Sequence, residues 1–318
     1  MQSVGTGWLW LVFSLFVFSI LFCDLFLINN NLPKRVSTKS ALGWTLIWIA
    51  CALAFNLFFW VYLNHTIGPS LARVRALEFF TGYLIEESLS FDNMFVILMI
   101  FSYFNVPAEY QRRILTYGVL GAIVLRLIMI FAGTWLIAQF HWLLYIFGIF
   151  LIFTGFKMLM MEDKPKDFAN NFLLQWVRRY FRVTNELHDE KFFINKQGKL
   201  FFTPLFLVVV CVEFSDLIFS LDSIPAIFAI TLDPFIVFTS NIFAILGLRS
   251  IYFLLANLAS SFHLLKYGIA LILIFIGLKM CFEKWLDIPI FVTLAIVMSI
   301  LITTIILSFL GKKNVSKH

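Results

Sequence analysis

Apolar residues fall in long continuous runs, and polar residues gather in the short joints between them. A helix needs about 20 mostly apolar residues to cross a bilayer. On that ruler nine runs predict spanning helices, at approximately 8–28, 41–63, 77–101, 114–138, 141–161, 203–230, 235–258, 264–282 and 288–310. Their continuity predicts helices and not barrel strands, which alternate apolar and polar residues with a period of two. Helix-ending signals such as Asp233-Pro234 and Ile288-Pro289 mark the joints. One long hydrophilic segment, 162–202, divides the spans into five and four. Within it Phe168, Phe172, Leu173, Trp176, Val177 and Tyr180 recur at helical spacing beside Arg178, Arg179 and Arg182. That pattern predicts an amphipathic helix over 168–183 lying on anionic lipid, and residues 191–202 then read as a hairpin around Gly198.

The runs also repeat. Residues 141–158 align with 263–280 at a constant offset of 122, with nine of eighteen positions identical, including His141 with His263 and Lys157 with Lys279. Upstream, Ser90-Phe-Asp92-Asn93 aligns with Ser220-Leu-Asp222-Ser223 at an offset of 130, which sets Glu86 opposite Asp216; Arg126 and Arg249 fall in the middle span of each unit. The expected organisation is two N-terminal spans (1–75), a three-span unit (76–161), the polar segment (162–202), a second three-span unit (203–283), and a last span with a basic tail (284–318). An odd number of spans turns the second copy upside down, so the fold class is an all-α polytopic membrane protein with an inverted repeat of three plus three helices. Many secondary transporters build a midplane site from this architecture.

Composition agrees: 61% of the 318 residues are hydrophobic and 13% are charged, against about 25% charged in soluble domains. A purely soluble enzyme is excluded, and the net charge of +6 is read as loop charge and not as a nucleic-acid surface. Seventeen Lys and Arg residues fall on one side of the predicted membrane, including Lys34, Arg112, Arg113 and Lys312, and three (Arg73, Arg75, Lys284) on the other. The positive-inside rule then places the N-terminus outside and the C-terminus in the cytoplasm. Residues 1–7 lack a basic n-region, so the first run is expected to be a retained span and not a signal peptide. Cys23, Cys51, Cys211 and Cys281 stand singly in apolar runs, without the paired spacing of a zinc, haem or dithiol motif.

The informative charges lie inside the spans: Asp24, Glu86, Glu87, Asp92, Glu213, Asp216 and Asp222. Each costs roughly 2.5–3.5 kcal/mol at a span centre, so the set opposes insertion by very roughly 15–25 kcal/mol if all were central. Asp24 is nearest a span end and can snorkel. Glu86, Ser90 and Asn93 stand at i, i+4 and i+7 and share a helical face, as do Glu213, Asp216, Ser220 and Ser223. Asp92 and Asp222 point about 200° from the preceding serine on a regular helix; they join the same site only if the helix breaks, as Pro225 would allow in the second copy. Arg126 and Arg249 can neutralise at most two carboxylates, leaving the rest to protons or a bound cation. Carboxylate, amide and hydroxyl oxygens are hard ligands suited to Mn²⁺, Mg²⁺ or Ca²⁺. No histidine lies on the stripes: His141 and His263 are expected at the interface, and Lys157 and Lys279 as snorkelling ends. The same acids could instead carry protons, either exchanged for metal or moved alone.

At these residues the chain resembles the TerC family of bacterial inner-membrane proteins, closest to its Alx branch and grouped with LysE-like transporters. The resemblance runs over nearly the whole chain and is most specific in 81–86, Ser90-Phe-Asp92-Asn93, 112–115, Leu125-Arg126, Glu213-Phe-Ser-Asp216, 222–226 and Gly247-Leu-Arg249. It implies a polytopic inner-membrane protein associated with Mn²⁺ export, with tellurium resistance and, in the Alx branch, with alkaline induction. It implies Glu86, Asp92, Glu213, Asp216 and Asp222 as transport carboxylates with Asn93 and Ser223 as neutral ligands; the residue pattern itself adds Arg126 and Arg249 as charge-balancing groups and Asp24, Ser90 and Ser220 as secondary candidates. Glu87 departs from the family pattern and is left out. The expectation is a carrier and not an enzyme, with no resident cofactor, exporting Mn²⁺, with exchange for protons as an open variant. The competitors are a pH-homeostasis antiporter without a metal site and a membrane redox or tellurium-resistance factor.

Overall fold

The computed structural model describes residues 3–29, 37–160, 184, 191–196, 199–258, 264–282, 284–285 and 288–315. The 168–183 helix and His263 lie outside the described residues, and Asp24 and Asp92 are placed as helix positions with their side chains outside the description.

Nine helices stand among the described residues: α1 (Gly7–Asn29), α2 (Thr38–Thr66), α3 (Pro69–Tyr103), α4 (Ala108–Gln139), α5 (Leu143–Met160), α6 (Pro204–Phe228), α7 (Pro234–Leu258), α8 (Leu265–Phe282) and α9 (Ile290–Val315). Seven of them, α2 and α4 to α9, are long and apolar enough to cross a membrane, and α1 contributes a further apolar helix over Gly7–Cys23. The protein is therefore a polytopic helical membrane protein whose outer faces contact lipid. Large apolar side chains are exposed on α1, α2 and α5, among them Trp8, Phe18, Trp44, Leu57, Ile149 and Phe153, as lipid-facing surfaces require. The helix α3 has 35 residues, enough for about 50 Å at 1.5 Å per residue. It is set apart by the acids it carries.

Most helix ends fall within a few residues of the apolar runs, because apolar content and helix length answer to the same bilayer. The exception is α3, which begins at Pro69 and not near 77. Gly68 takes φ of 91° before Pro at the first turn, a left-handed conformation that glycine adopts freely. Polar residues of that first stretch, such as Arg75 paired with Glu78 at 2.8 Å, continue the helix beyond its apolar part.

Helix α7 forms the centre. Nearly all of its apolar window is buried, and it packs against α2, α3 and α4. Asp233 starts it, its carboxylate accepting from the Phe235 N–H at 3.0 Å and also from Ser3 Oγ (2.8 Å) and the Val4 N–H (2.7 Å). That tie holds the N-terminal segment against the α6–α7 turn. Beside it, Trp10, Phe13, Phe55, Phe79, Phe235 and Phe243 form an aromatic cluster, with ring centroids 5.0 Å apart for Phe55–Phe243 and 5.1 Å for Trp10–Phe235. Four helices, α1, α2, α3 and α7, are thereby joined. Helix α6 packs on α3 and α4, and α5 packs on α8.

The expected hairpin is present: β1 (Phe193–Lys196) pairs antiparallel with β2 (Lys199–Phe202), with Phe193 opposite Phe202. Phe192 anchors it on α4, packing edge-on against Tyr117 at 5.0 Å beneath the Arg113 guanidinium at 5.4 Å.

The α5–α8 contact is made close by glycine. A Cβ on Gly277 would lie 2.6 Å from the Gly148 carbonyl oxygen, and one on Gly155 would lie 2.8 Å from that of Ala270. By contrast, Gly43 on α2 faces open space. Gly277→Leu is therefore expected to lower stability by about 1–3 kcal/mol or more through overpacking against backbone, while Gly43→Ala is neutral or slightly stabilising. Thermal unfolding of the detergent-solubilised variants measures both.

Candidate cation site

The two polar stripes meet inside the bundle. On α3, Glu86, Ser90 and Asn93 are all buried, and on α6 so are Asp216, Ser220 and Ser223. Regular helical spacing puts each trio on one face, and α3 packs directly on α6. The alternative, six polar residues facing lipid, would leave their hydrogen-bonding groups without partners in hydrocarbon.

Between the stripes stands Arg126 of α4, with none of its side chain exposed. Its Nη1 donates to Glu86 Oε1 and, at 2.6 Å, to Asn241 Oδ1 of α7; its Nη2 donates to Asp216 Oδ1 at 3.1 Å. One guanidinium thus pairs with two carboxylates, one from each stripe. Removing either member of such a buried pair costs about 3–5 kcal/mol, because it strands a charge away from water. Ser220 Oγ donates to the other Asp216 oxygen at 3.5 Å. Asn241 Nδ2 donates to the Val237 carbonyl at 2.8 Å, which turns its Oδ1 toward the arginine.

Among the described residues Ser90 Oγ and Asn93 Oδ1 are buried without a hydrogen-bond partner, and the Glu86 oxygen that Arg126 does not hold has the Ser223 hydroxyl beside it. Such orphans are uncommon in folded proteins and call for an occupant. A cavity of about 30 Å³ reaches Asn93, Asp216 and Arg249, its walls otherwise mostly apolar, with Ile97, Leu115 and Val212 among them. That space suffices for about two water-sized occupants. Among the described residues no three His, Cys, Asp or Glu side chains converge as a metal-holding group. The donor set is mixed instead: two carboxylates with an amide and hydroxyls, all hard oxygens that fit Mn²⁺, Mg²⁺ or Ca²⁺.

The other candidate residues lie around this core. Glu213 is one turn before Asp216 on α6, and its carboxylate fills the place that a Cβ on Gly121 of α4 would take, with Oε2 buried and unpartnered. Arg249 lines the cavity and donates to Thr116 Oγ1 of α4 at 3.1 Å. Asp222 is directed elsewhere: its Oδ1 accepts from Thr154 Oγ1 of α5 at 3.2 Å. Helix α6 runs on through Pro225 to Phe228, so the break that would turn Asp222 toward Asp216 does not occur. Glu87, one residue on from Glu86, is partly buried next to Gly247 of α7 and hydrogen-bonds with Tyr83. His141 is exposed at the α4–α5 turn, and Lys157 and Lys279 sit in the last turns of α5 and α8, where a cation complements the helix dipole.

Two participants were missed in the sequence. Asn241 lies on no carboxylate stripe, and its only signal is that Thr239-Ser240-Asn241 is a polar run in the middle of α7. Gly121 carries no side chain to notice; its role is the room it leaves for Glu213.

A family model described as "Integral membrane protein TerC family" matches residues 71–316, which include all of these elements except α1, α2 and the first residues of α3. Proteins of Salmonella typhi and Escherichia coli (strain K12), each named "Putative membrane-bound redox modulator Alx", are 53% identical over 308 residues, covering 97% of this chain and 96% of theirs. The "Uncharacterized membrane protein STKORF319" of Myxococcus xanthus is 43% identical, covering 98% of this chain and 95% of its own. No solved structure matches. With more than half of its length matched by the family model and nearly all of it by these relatives, the chain belongs to the TerC family of integral membrane proteins.

Proposed function

We propose that this chain is a divalent-cation carrier of the bacterial inner membrane that takes Mn²⁺ from the cytoplasm and releases it outside, with protons as the counter-ion. The observation that carries this reading is the set of buried oxygens from Glu86, Ser90, Asn93 and Ser223 beside the Asp216 carboxylate, of which Ser90 Oγ and Asn93 Oδ1 have no partner among the described residues. A buried surplus of carboxylates is stabilised by a cation or by protons, and exchange of one for the other uses both. Glu213, on the same face of α6 and on the side of its cytoplasmic start, is the entry carboxylate. Hard oxygens admit Mn²⁺ and Mg²⁺ alike, so the preference for Mn²⁺ rests on the family resemblance.

The α5–α8 contact supports an inverted repeat. At the offset of 122, Gly155 aligns with Gly277 and Gly148 with Ala270; the close approaches are Gly277 on Gly148 and Gly155 on Ala270. Equivalent positions are exchanged across the contact, as a pseudo-two-fold axis in the membrane plane produces.

The relatives' name favours a second reading, a redox modulator. The four cysteines are free and lie on four different helices, α1, α2, α6 and α8, so thiol chemistry has no local pair to use. Replacing all four by serine is expected to leave Mn²⁺ export intact; loss of function in that variant with retained function in carboxylate variants would favour the redox reading.

Glu86→Gln and Asp216→Asn are expected to weaken Mn²⁺ handling at least about tenfold, as loss of metal-site groups generally does. The measurements are growth under Mn²⁺ stress and cellular Mn content; variants that protect cells as well as the parent would contradict the site. Proteoliposomes separate metal transport from a pure proton antiporter: Mn²⁺ uptake into inverted vesicles is expected, whereas proton flux without any divalent cation would favour the antiporter. The excess of basic residues on one side predicts a periplasmic N-terminus and a cytoplasmic C-terminus, which reporter fusions to each end would read directly.

A further inference from the structure

We infer that the Arg126 guanidinium is a tethered stand-in for the transported cation, holding Glu86 and Asp216 in the empty carrier and leaving them when a divalent cation binds. The inference rests on the cation-carrier reading and assigns one of its moving parts.

An arginine that served packing alone would be expected to have its donors and its neighbours' acceptors matched, since buried polar groups normally are. Here they are not. Among the described residues Arg126 Nε is buried without a partner, Ser90 Oγ and Asn93 Oδ1 have none either, and the second Glu86 oxygen has only the Ser223 hydroxyl beside it. The guanidinium serves the two carboxylates and Asn241 and leaves the neutral oxygens of α3 and α6 unserved. A metal ion gathers ligands from several directions and so can take up oxygens from both helices, as a planar fork cannot.

The two roles compete for the same atoms. A cation bridging α3 and α6 needs Glu86 and Asp216, and the oxygens Glu86 Oε1 and Asp216 Oδ1 are already bonded to Arg126. Two positive centres sharing both carboxylates in a site removed from water would repel strongly, so binding of one favours release of the other. Asn241 provides for the released state. Its Oδ1, fixed by the bond from Nδ2 to the Val237 carbonyl, accepts from Arg126 Nη1 independently of either carboxylate, so the guanidinium keeps an anchor on α7. The empty carrier then never presents two bare carboxylates to each other in a poorly hydrated core.

The test uses the full chain in detergent, with Mn²⁺ itself as probe, its free concentration read by electron paramagnetic resonance. Arg126→Gln is expected to bind Mn²⁺ at least about tenfold more tightly than the parent, because the competing cation is gone, yet to export it more slowly from proteoliposomes. Structural damage alone would weaken binding. In Arg126→Gly, millimolar guanidinium is expected to raise the apparent Mn²⁺ Kd competitively, with no such effect in the parent. Should neither variant be recovered folded, Arg126→Lys decides: it keeps the charge but cannot fork across both carboxylates, and tighter binding than the parent is expected. Equal or weaker Mn²⁺ affinity in folded variants, with parental binding intact, overturns the stand-in and leaves the cation-carrier reading in place. Absence of Mn²⁺ binding by the parent overturns both.

Discussion

A fully buried arginine between two carboxylates is the constraint on which the rest of the bundle depends. Away from water, Arg126 must stay within hydrogen-bonding reach of Glu86 and Asp216, because any one of the three left alone carries the full cost of an unpaired buried charge. That requirement fixes α4 against both α3 and α6 and brings Asn241 of α7 to the same point. It also explains how the bilayer tolerates α3: Glu86 and Glu87 meet other helices and not lipid. Close approach elsewhere follows the same need, with Gly121 making room for Glu213 and the glycines of α5 and α8 allowing backbone contact.

The centre is satisfied neither in charge nor in coordination. One guanidinium faces two carboxylates, and Ser90 Oγ and Asn93 Oδ1 beside them have no partner among the described residues. A core selected only for stability would replace such groups by apolar side chains of similar size, often at no loss. The proposed cation handling rests on these polar groups, of which Asn93 also lines a small cavity. Cysteine offers no comparable constellation, since the four thiols are dispersed over four helices.

Much of this was legible in the sequence because the bilayer imposes a simple rule. Apolar runs of spanning length became helices, and the i, i+4, i+7 spacing of Glu86, Ser90 and Asn93 became a buried face. The extension of α3 to Pro69 was not legible, because a polar stretch that continues a helix outside the apolar run leaves no hydropathy signal. Partner choice was also hidden: periodicity gives faces but not which faces meet, so a single arginine serving two carboxylates could not be read from spacing. Asp222 shows the limit of a local rule. Pro225 lacks a backbone N–H, yet packing keeps α6 continuous and leaves Asp222 on the side of Thr154.

The most direct measurement is anomalous diffraction at the Mn absorption edge from crystals of the full chain grown with Mn²⁺. The expected result is a single anomalous peak between α3 and α6 within coordinating distance of Glu86 and Asp216, with the Arg126 guanidinium withdrawn toward Asn241. A crystal that shows Arg126 still clasping both carboxylates and its only Mn²⁺ bound elsewhere would contradict a cation site at the centre of the bundle.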